Sequence, residues 1–238
     1  MSQEKYPSPA TAVGGEARRR HQLPEMEGRM ARWYARNRGS ASQLAECRRQ
    51  AARLTASLPA GAAVLEVAPG PGYHAVEMAR RGSLRVTGLD ISRTMVAIAA
   101  ETARRAAVDV DFRRGDVSAM PFEGNAFDLI VCQAAFKNFK RPVSAIDEMH
   151  RVLRHGGVAV IQDLNRDASN ADIAREVRGM GLNPVSAFMT RLVLSTLLRR
   201  RAYSPARFER LVAGTLFGTC EVTTEWIGLE VRLTRAAP

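Results

Sequence analysis

Between residues 64 and 79 the chain reads VLEVAPGPGYHAVEMA, and this stretch limits the possible folds more than any other. A short apolar run (Val64, Leu65, Val67) enters a turn of alternating prolines and glycines, then a segment with helical apolar spacing. The run VTGLDIS follows at 86–92, and its strand-like part ends on a carboxylate, Asp90. A strand, a glycine turn, a helix and a second strand are the opening of a doubly wound α/β sheet. Such sheets take their ligands at the carboxyl ends of the strands.

Gly70, Gly72 and Ala75 fit G-x-G-x-x-A, with Asp90 about 20 residues beyond. Taken alone, that spacing suits a dinucleotide. A dinucleotide lays a pyrophosphate on the loop and needs backbone N–H donors there. Pro69 and Pro71 have none. S-adenosylmethionine carries no phosphate and asks only that backbone come close to its amino-acid part. The small residues Ala68, Gly70 and Gly72 allow that approach. Glu66, inside the first strand, adds a carboxylate that could hold the loop or reach a ligand ammonium through water. The plain alternative is a strand–turn–helix with no ligand, and three further elements weigh against it.

The first is VDVDFRRGD, in which Val108, Val110 and Phe112 alternate as a half-buried strand should. It ends on Asp116, a third carboxylate at a strand end, able to accept from an adenine amino group or simply to cap its own turn. The second is FDLIVCQAAFKNF at 127–139, whose Leu129, Ile130, Val131 and Cys132 predict a central strand buried on both faces. The third is a helix over 143–154, stopped by Gly156 and Gly157 before the strand VAVIQDL.

With EVAPGPG, GLDIS, GDVSAMPFEGNAFDLIV and EMHRVLRHGG in this order, residues 58–163 resemble class I S-adenosylmethionine-dependent methyltransferases. The resemblance is to the branch of quinone-biosynthesis and other small-molecule C-methyltransferases. Two positions depart from it: Ala68 stands where the loop's first glycine is usual, and His155 where a proline is usual. The resemblance implies a Rossmann-like, mostly parallel sheet with a terminal antiparallel hairpin strand, N-terminal helices and a helical cap. It implies that Asp90 holds the ribose hydroxyls with Ile91 against the adenine. Asp116 and Val117 would flank the adenine edge, Gly70 and Gly72 would line the methionine part, and Gln133 would face the sulfonium.

Composition narrows the partners. No stretch approaches the ~20 apolar residues of a membrane span, and no apolar h-region follows the start, so no secretory signal is read. Three widely spaced cysteines (Cys47, Cys132, Cys220) lack metal-ligand rhythm and suggest a reducing, cytoplasmic setting. The net charge of +11 comes largely from arginines scattered along helices. The tighter clusters at 18–20 and 199–201 would suit phosphate, but no aromatic interleaving or nucleic-acid module accompanies them. A small-molecule acceptor is therefore preferred to nucleic acid.

Along the chain, 1–24 reads as a loosely held arm and 25–238 as one domain. Helices are expected over 25–37, with Met26, Met30, Trp33 and Tyr34 as an apolar stripe, and over 40–57. The cofactor-binding core spans 58–163 and a helical cap 164–203. In the cap's second helix Val185, Phe188, Met189, Leu192, Val193 and Thr196 share a face. That face reads first as a lid, second as a homodimer contact and third as an interfacial membrane helix. The segment 204–238 adds a helix and two strands, 219–224 and 226–234, with Gly228 marking a bulge or close approach.

Catalysis has weaker signals. The sulfonium already activates the methyl, so a base is needed only where the acceptor must lose a proton. His74, Tyr34 and Asn138 are the candidates, with Lys137, Asp163 and Asn165 also at the productive edge and His150 read as structural. The fourth strand lacks the polar-Pro-Pro-aromatic turn of adenine and glutamine amino methyltransferases, no Pro-Cys pair is present, and no metal cluster is spaced for one. What remains is methyl transfer to a small apolar or aromatic molecule. The alternatives are an RNA or protein acceptor drawn by the basic clusters, or an adenosyl-ligand-binding protein that moves no methyl.

Overall fold

The computed structural model describes residues 26–237, so the arm expected over 1–24 lies outside the described residues. The core is a seven-stranded sheet in the order β3-β2-β1-β4-β5-β7-β6. Its strands are β1 (Ala63–Val67), β2 (Arg85–Asp90), β3 (Asp111–Arg114), β4 (Phe127–Gln133), β5 (Leu153–Leu164), β6 (Glu221–Glu225) and β7 (Gly228–Thr234). β1 to β5 run parallel, while β7 is antiparallel to both β5 and β6. The Rossmann-like sheet with a terminal antiparallel hairpin thus matches the sequence expectation.

The helices sort onto two faces. α2 (Ala41–Leu54) and α3 (Tyr73–Ala79) cover one face through Ala51, Leu54, Ala75 and Met78, packed on Val64, Leu129, Val131 and Val160. On the other face lie α5 (Pro142–Val152) and the C-terminal helix Pro205–Val212, whose Ile146, Met149, Phe208 and Val212 meet Leu65, Ile130 and Ile161. Alternate residues of β1 and β4 serve the two layers, which is why Leu129–Cys132 is an unbroken apolar run and β1 is broken only by Glu66.

From β1 the chain crosses to β2 and β3 on one side, then returns to β4 on the other. The strand order therefore reverses between β1 and β4, the point beyond whose strand ends open α/β sheets take their ligands. Both strands end there by the same device. The first residue after β1, Ala68, and the first after β4, Ala134, have φ of 53° and 54°. Each donates its N–H sideways, Ala68 to Leu89 O at 2.8 Å and Ala134 to Gln162 O at 2.7 Å. A small side chain limits the strain of the left-handed conformation at both places.

Several boundaries differ from the sequence reading. Gly156 and Gly157 do not stop a helix: α5 ends at Val152 and the glycines form an irregularity within β5. There a Cβ on Gly157 would meet Arg154 O at 2.9 Å and Asp128 O at 3.0 Å. β3 holds only Asp111–Arg114, leaving Val108 and Val110 before it. Trp226 sits in the hairpin turn at φ 53° rather than in a strand.

The helix α1 (Gly28–Asn37) also corrects an expectation. Its buried residues are Ala31 and Ala35, while Met30 and Trp33 of the supposed stripe are exposed. What fixes α1 is polar. The Glu27 carboxylate accepts from the N–H groups of Arg93 and Thr94 and from the Thr94 hydroxyl, at the start of α4 (Arg93–Arg105). The Thr94 hydroxyl, with those N–H groups, pulls Glu27 down to about 2, outweighing the opposing effect of burial. Ser92 ties the same corner by donating to Met26 O at 2.8 Å. A carboxylate at a helix N-terminus is favoured by the unpaired N–H groups there.

The two loop glycines serve different ends. At Gly72, φ is 79° and a Cβ would lie 2.8 Å from Ala99 Cβ and 2.9 Å from Phe112 Cζ, whereas a Cβ at Gly70 would meet nothing within 4 Å. Gly72→Ala is therefore expected to combine left-handed strain of about 1–2 kcal/mol with overpacking of about 1–3 kcal/mol. Gly70→Ala should show the strain alone. Urea unfolding of the two variants beside the parent checks this order.

Candidate functional site

The site is built on the loop from Ala68 to Gly72. Every N–H it contains is used inside the protein. Ala68 donates to Leu89 O, Gly70 to Asp90 Oδ2 at 3.1 Å, and Gly72 to Pro69 O at 3.0 Å. Pro69 and Pro71 have none to give. A pyrophosphate would find no donor along this loop, so the structure strengthens the argument from the prolines. The open space beside Gly70 leaves its backbone approachable.

Asp90, at the end of β2, is buried and accepts from two backbone N–H groups, Gly70 through Oδ2 and Ser92 through Oδ1 at 2.9 Å. It therefore holds the glycine loop, a task the sequence reading considered for Glu66. Burial pushes its carboxyl above the ordinary 3.8, with the two N–H groups acting against the rise. A carboxylate offers about four acceptor positions, so two remain for hydroxyls. Next to it Ile91 is exposed, an apolar side chain at a strand end with open surface around it.

Glu66 and His74 lie behind the loop, each only 3% exposed. His74 Nδ1 stands 3.6 Å from Glu66 Oε1, too far for a good hydrogen bond. Neither ring nitrogen nor Glu66 Oε2 has any hydrogen-bond partner. Buried polar atoms without partners are uncommon and cost about 1–3 kcal/mol each. Two adjacent side chains in that state beside a donor-poor loop fit the amino-acid end of a zwitterionic ligand, whose ammonium needs an acceptor.

Asp116 caps its own turn and pairs with a neighbouring arginine. Its Oδ1 accepts from the Ser118 N–H at 2.8 Å and hydroxyl at 2.6 Å, within its own turn, and Oδ2 pairs with Arg141 at 3.1 Å. Partial burial pushes the carboxyl up, but Ser118 and Arg141 outweigh it and hold the group below the usual range. Val117 beside it is half-buried against the core.

At the end of β4, Gln133 donates to Gln162 Oε1 at 2.8 Å, and Gln162 in turn donates to Glu230 at 2.7 Å and Gln50 at 3.2 Å. Gln133 is thus fixed by β5, β7 and α2 together. Gln162 was absent from the sequence reading; its signal was its place opposite Gln133 across two parallel strands. Beyond β4, a short 3₁₀ turn, Phe136–Asn138, leaves Asn138 exposed and buries Lys137. Lys137 Nζ pairs with Asp163 Oδ1 at 2.7 Å, and the Lys137 N–H donates to Asp163 Oδ2 at 2.9 Å. Lys137 Nζ also donates to Ala134 O. Sequence reading named both residues but gave no reason to join them.

The other candidates lie further out. Tyr34, on α1, is half-buried with the Arg38 guanidinium 5.7 Å from its ring centre. Asn165 is buried at the root of the following segment. His150 stands edge-on to Phe217 at 4.9 Å, in line with a structural role. Cys132 is fully buried, and burial pushes its thiol up, which removes it as a nucleophile. Among the described residues no three His, Cys, Asp or Glu side chains gather as a metal set.

The Lys137–Asp163 pair yields a test. Its side chains are 7% and 6% exposed. Lys137→Met is expected to cost about 3–5 kcal/mol, because it strands a buried carboxylate. Adding Asp163→Asn should recover part of that loss, as a urea-denaturation double-mutant cycle would measure.

Comparison with known proteins agrees with this geometry. Residues 65–161 match the sequence family described as a methyltransferase domain. A demethylmenaquinone methyltransferase of Chlorobaculum tepidum is 36% identical over 98 residues, covering 41% of this chain and 39% of that enzyme. A ubiquinone/menaquinone biosynthesis C-methyltransferase of Bdellovibrio bacteriovorus is 32% identical over 108 residues, covering 45% and 46%. The chain thus aligns with less than half the length of either enzyme. A crystal structure described as an S-adenosylmethionine-dependent methyltransferase of Methanococcus maripaludis superposes with a TM-score of 0.68 at 19% identity, over 92% of this chain and 98% of that one. That likeness establishes the shared fold.

Proposed function

We propose that this chain, which carries a class I S-adenosylmethionine-dependent methyltransferase domain, transfers a methyl group in line to a small apolar or aromatic acceptor. The observation that carries the reading is the hydrogen bonding at the loop. Its N–H groups are all used inside the protein, while one buried acceptor, Glu66 Oε2, has no partner. When bound, S-adenosylmethionine supplies a methyl already activated by its sulfonium.

The remaining work falls to this chain's residues. The free acceptor positions of Asp90 take the ribose hydroxyls, and Ile91 lies along the adenine. Asp116 and Val117 border the adenine edge, with the Ser118 and Arg141 contacts fixing where that carboxylate sits. The backbone at Ala68 and Gly70, and more remotely Gly72, admits the methionine part, and Glu66 meets its ammonium. His74, sealed beside Glu66, suits holding that carboxylate better than touching an acceptor. Gln133, clamped by Gln162, borders the transfer position. Holding donor and acceptor in line contributes up to roughly 7–11 kcal/mol of barrier lowering. An acceptor that must lose a proton would need a base, for which Tyr34 and exposed Asn138 are the residues to test. The acceptor class rests on the likeness to quinone-pathway enzymes.

Calorimetric titration with S-adenosylhomocysteine and with NAD tests the reading. Binding of the first and none of the second is expected; preference for NAD would overturn it. Asp90→Asn should weaken S-adenosylhomocysteine at least tenfold. The raised carboxyl adds a pH signature. Asp90 is ionised well above its shifted value and gains its proton as pH falls toward it, sooner than an ordinary carboxyl at 3.8. Affinity should therefore drop on acidification in the parent and stay flatter in Asp90→Asn.

The same shift bears on stability. A carboxyl raised on folding binds a proton more readily in the folded state. Its burial cost is thus absent below 3.8 and grows as pH rises through the shifted value. Asp90→Asn should remove that part of the pH dependence in thermal melts.

A further inference from the structure

The segment 166–202 leaves the sheet at the end of β5 and returns beside the same point. Asn165 and Tyr203 bridge its two ends, and the Arg166 N–H donates to Tyr203 O at 3.0 Å. It contains α6 (Asn170–Gly179) and α7 (Pro184–Val193), and α7 runs on through a π-turn, Leu194–Leu198, into Arg199–Arg201. These 18 residues form one rod of about 27 Å.

The rod is apolar on two sides. Ala187 and Leu194, one heptad apart, face inward and pack with Ala168, Ile173 and Val177. The bulkier residues face outward: Val185 is 74% exposed, Phe188 66%, Met189 51% and Leu192 45%. Leu182 and Met180, at the preceding turn, extend the same apolar surface. The face predicted first as a lid is therefore turned to solvent. Exposed apolar side chains gathered on one side of a helix mark an interaction surface more often than scattered ones do.

Charge selects the partner. Between Leu182 and Tyr203 there are four arginines (Arg191, Arg199, Arg200, Arg201) and no acidic residue. A second copy meeting this surface about a two-fold axis would bring Arg191, near the middle of the rod, up against its own copy, with no acidic side chain of the segment to offset it. An anionic lipid surface instead offers acyl chains to Phe188 and Leu192 and headgroup charge to the exposed Arg191 and Arg200, while Arg199 turns inward onto Ala168 O and Asn170. No described helix is long and apolar enough to cross a membrane, so the contact is one of lying on the surface.

We propose that α7 and its basic end form an interfacial lipid-binding surface that docks this chain on anionic membranes, with the outward apolar face embedded at the headgroup boundary. The inference does not depend on methyl transfer. The full chain is sedimented with vesicles of phosphatidylcholine alone and of phosphatidylcholine with phosphatidylglycerol. Retention is expected on the anionic vesicles, with at least tenfold less on the neutral ones. The Phe188→Asp/Leu192→Asp variant alters two exposed side chains and keeps the arginines at 18–20 and 199–201. It should lose anionic-vesicle binding at least tenfold while its melting transition and S-adenosylhomocysteine affinity stay at the parent's values. Unchanged vesicle binding by that variant would overturn the proposal, since scattered basic charge would then suffice. So would absence of binding by the parent, or a parent dimer in sedimentation velocity that the variant dissolves.

Discussion

The hydrogen bond from the Gly70 N–H to Asp90 is the contact on which the site turns. It joins the loop after β1 to the end of β2, and with Ala68 N–H on Leu89 O it pins the loop against the neighbouring strand. Without it the left-handed backbone at Ala68, Gly70 and Gly72 would have little to hold it. The same carboxylate then stands at the carboxyl ends of the strands with acceptor capacity left over. In the proposed reading, anchoring and recognition fall to one side chain, so a change at Asp90 cannot separate them fully. Asparagine, which keeps one acceptor, separates them better than alanine.

Behind the loop the protein accepts a local cost. Glu66 and His74 are buried with polar side-chain atoms unpaired, a state shared among the described residues only by Arg235 Nε. A few kcal/mol is a large share of a domain's net stability, and such a debt persists where a ligand or bound water offsets it. The Lys137–Asp163 pair at the end of β4 is the opposite case. Asp163 takes the lysine's ammonium, its N–H and the Leu164 N–H, so both charges are fully engaged. That pair clamps the turn after β4 onto β5.

Much of this was legible in the residues. The apolar run Leu129–Cys132 of β4, the apolar residues of β1, the glycine loop and Asp90 pointed to the observed parallel sheet. Other features were hidden for definite physical reasons. Gly156 and Gly157 look like a helix stop, but pairing of Leu153 with Phe127 pulls the strand start ahead of them. Met30 and Trp33 look like an inward stripe, but Glu27 anchors α1 to α4 by its end and Ala31 and Ala35 supply the close contact. Asp116 could be placed at a strand end, yet only three-dimensional neighbours, Ser118 and Arg141, show how its oxygens are used. Tertiary polar contacts leave no periodic trace.

The boundary between the legible and the hidden follows the division of labour in the chain. Residues 65–161 match a known domain and contain the loop, Asp90, Asp116 and Gln133. The excursion rooted at Asn165 and Tyr203 lies outside that match, and so does α1. Cofactor recognition imposes fixed spacing on a sheet edge, so it can be read as a pattern. Acceptor choice and location are set by segments whose only constraint is what covers them. In α7 that constraint is visible as a mismatch: Ala187 and Leu194 are enough to seat the helix, and Phe188, Met189 and Leu192 are surplus to folding. Apolar area exposed beyond what packing needs is a cost in water, and it is accounted for by a surface that water does not wet.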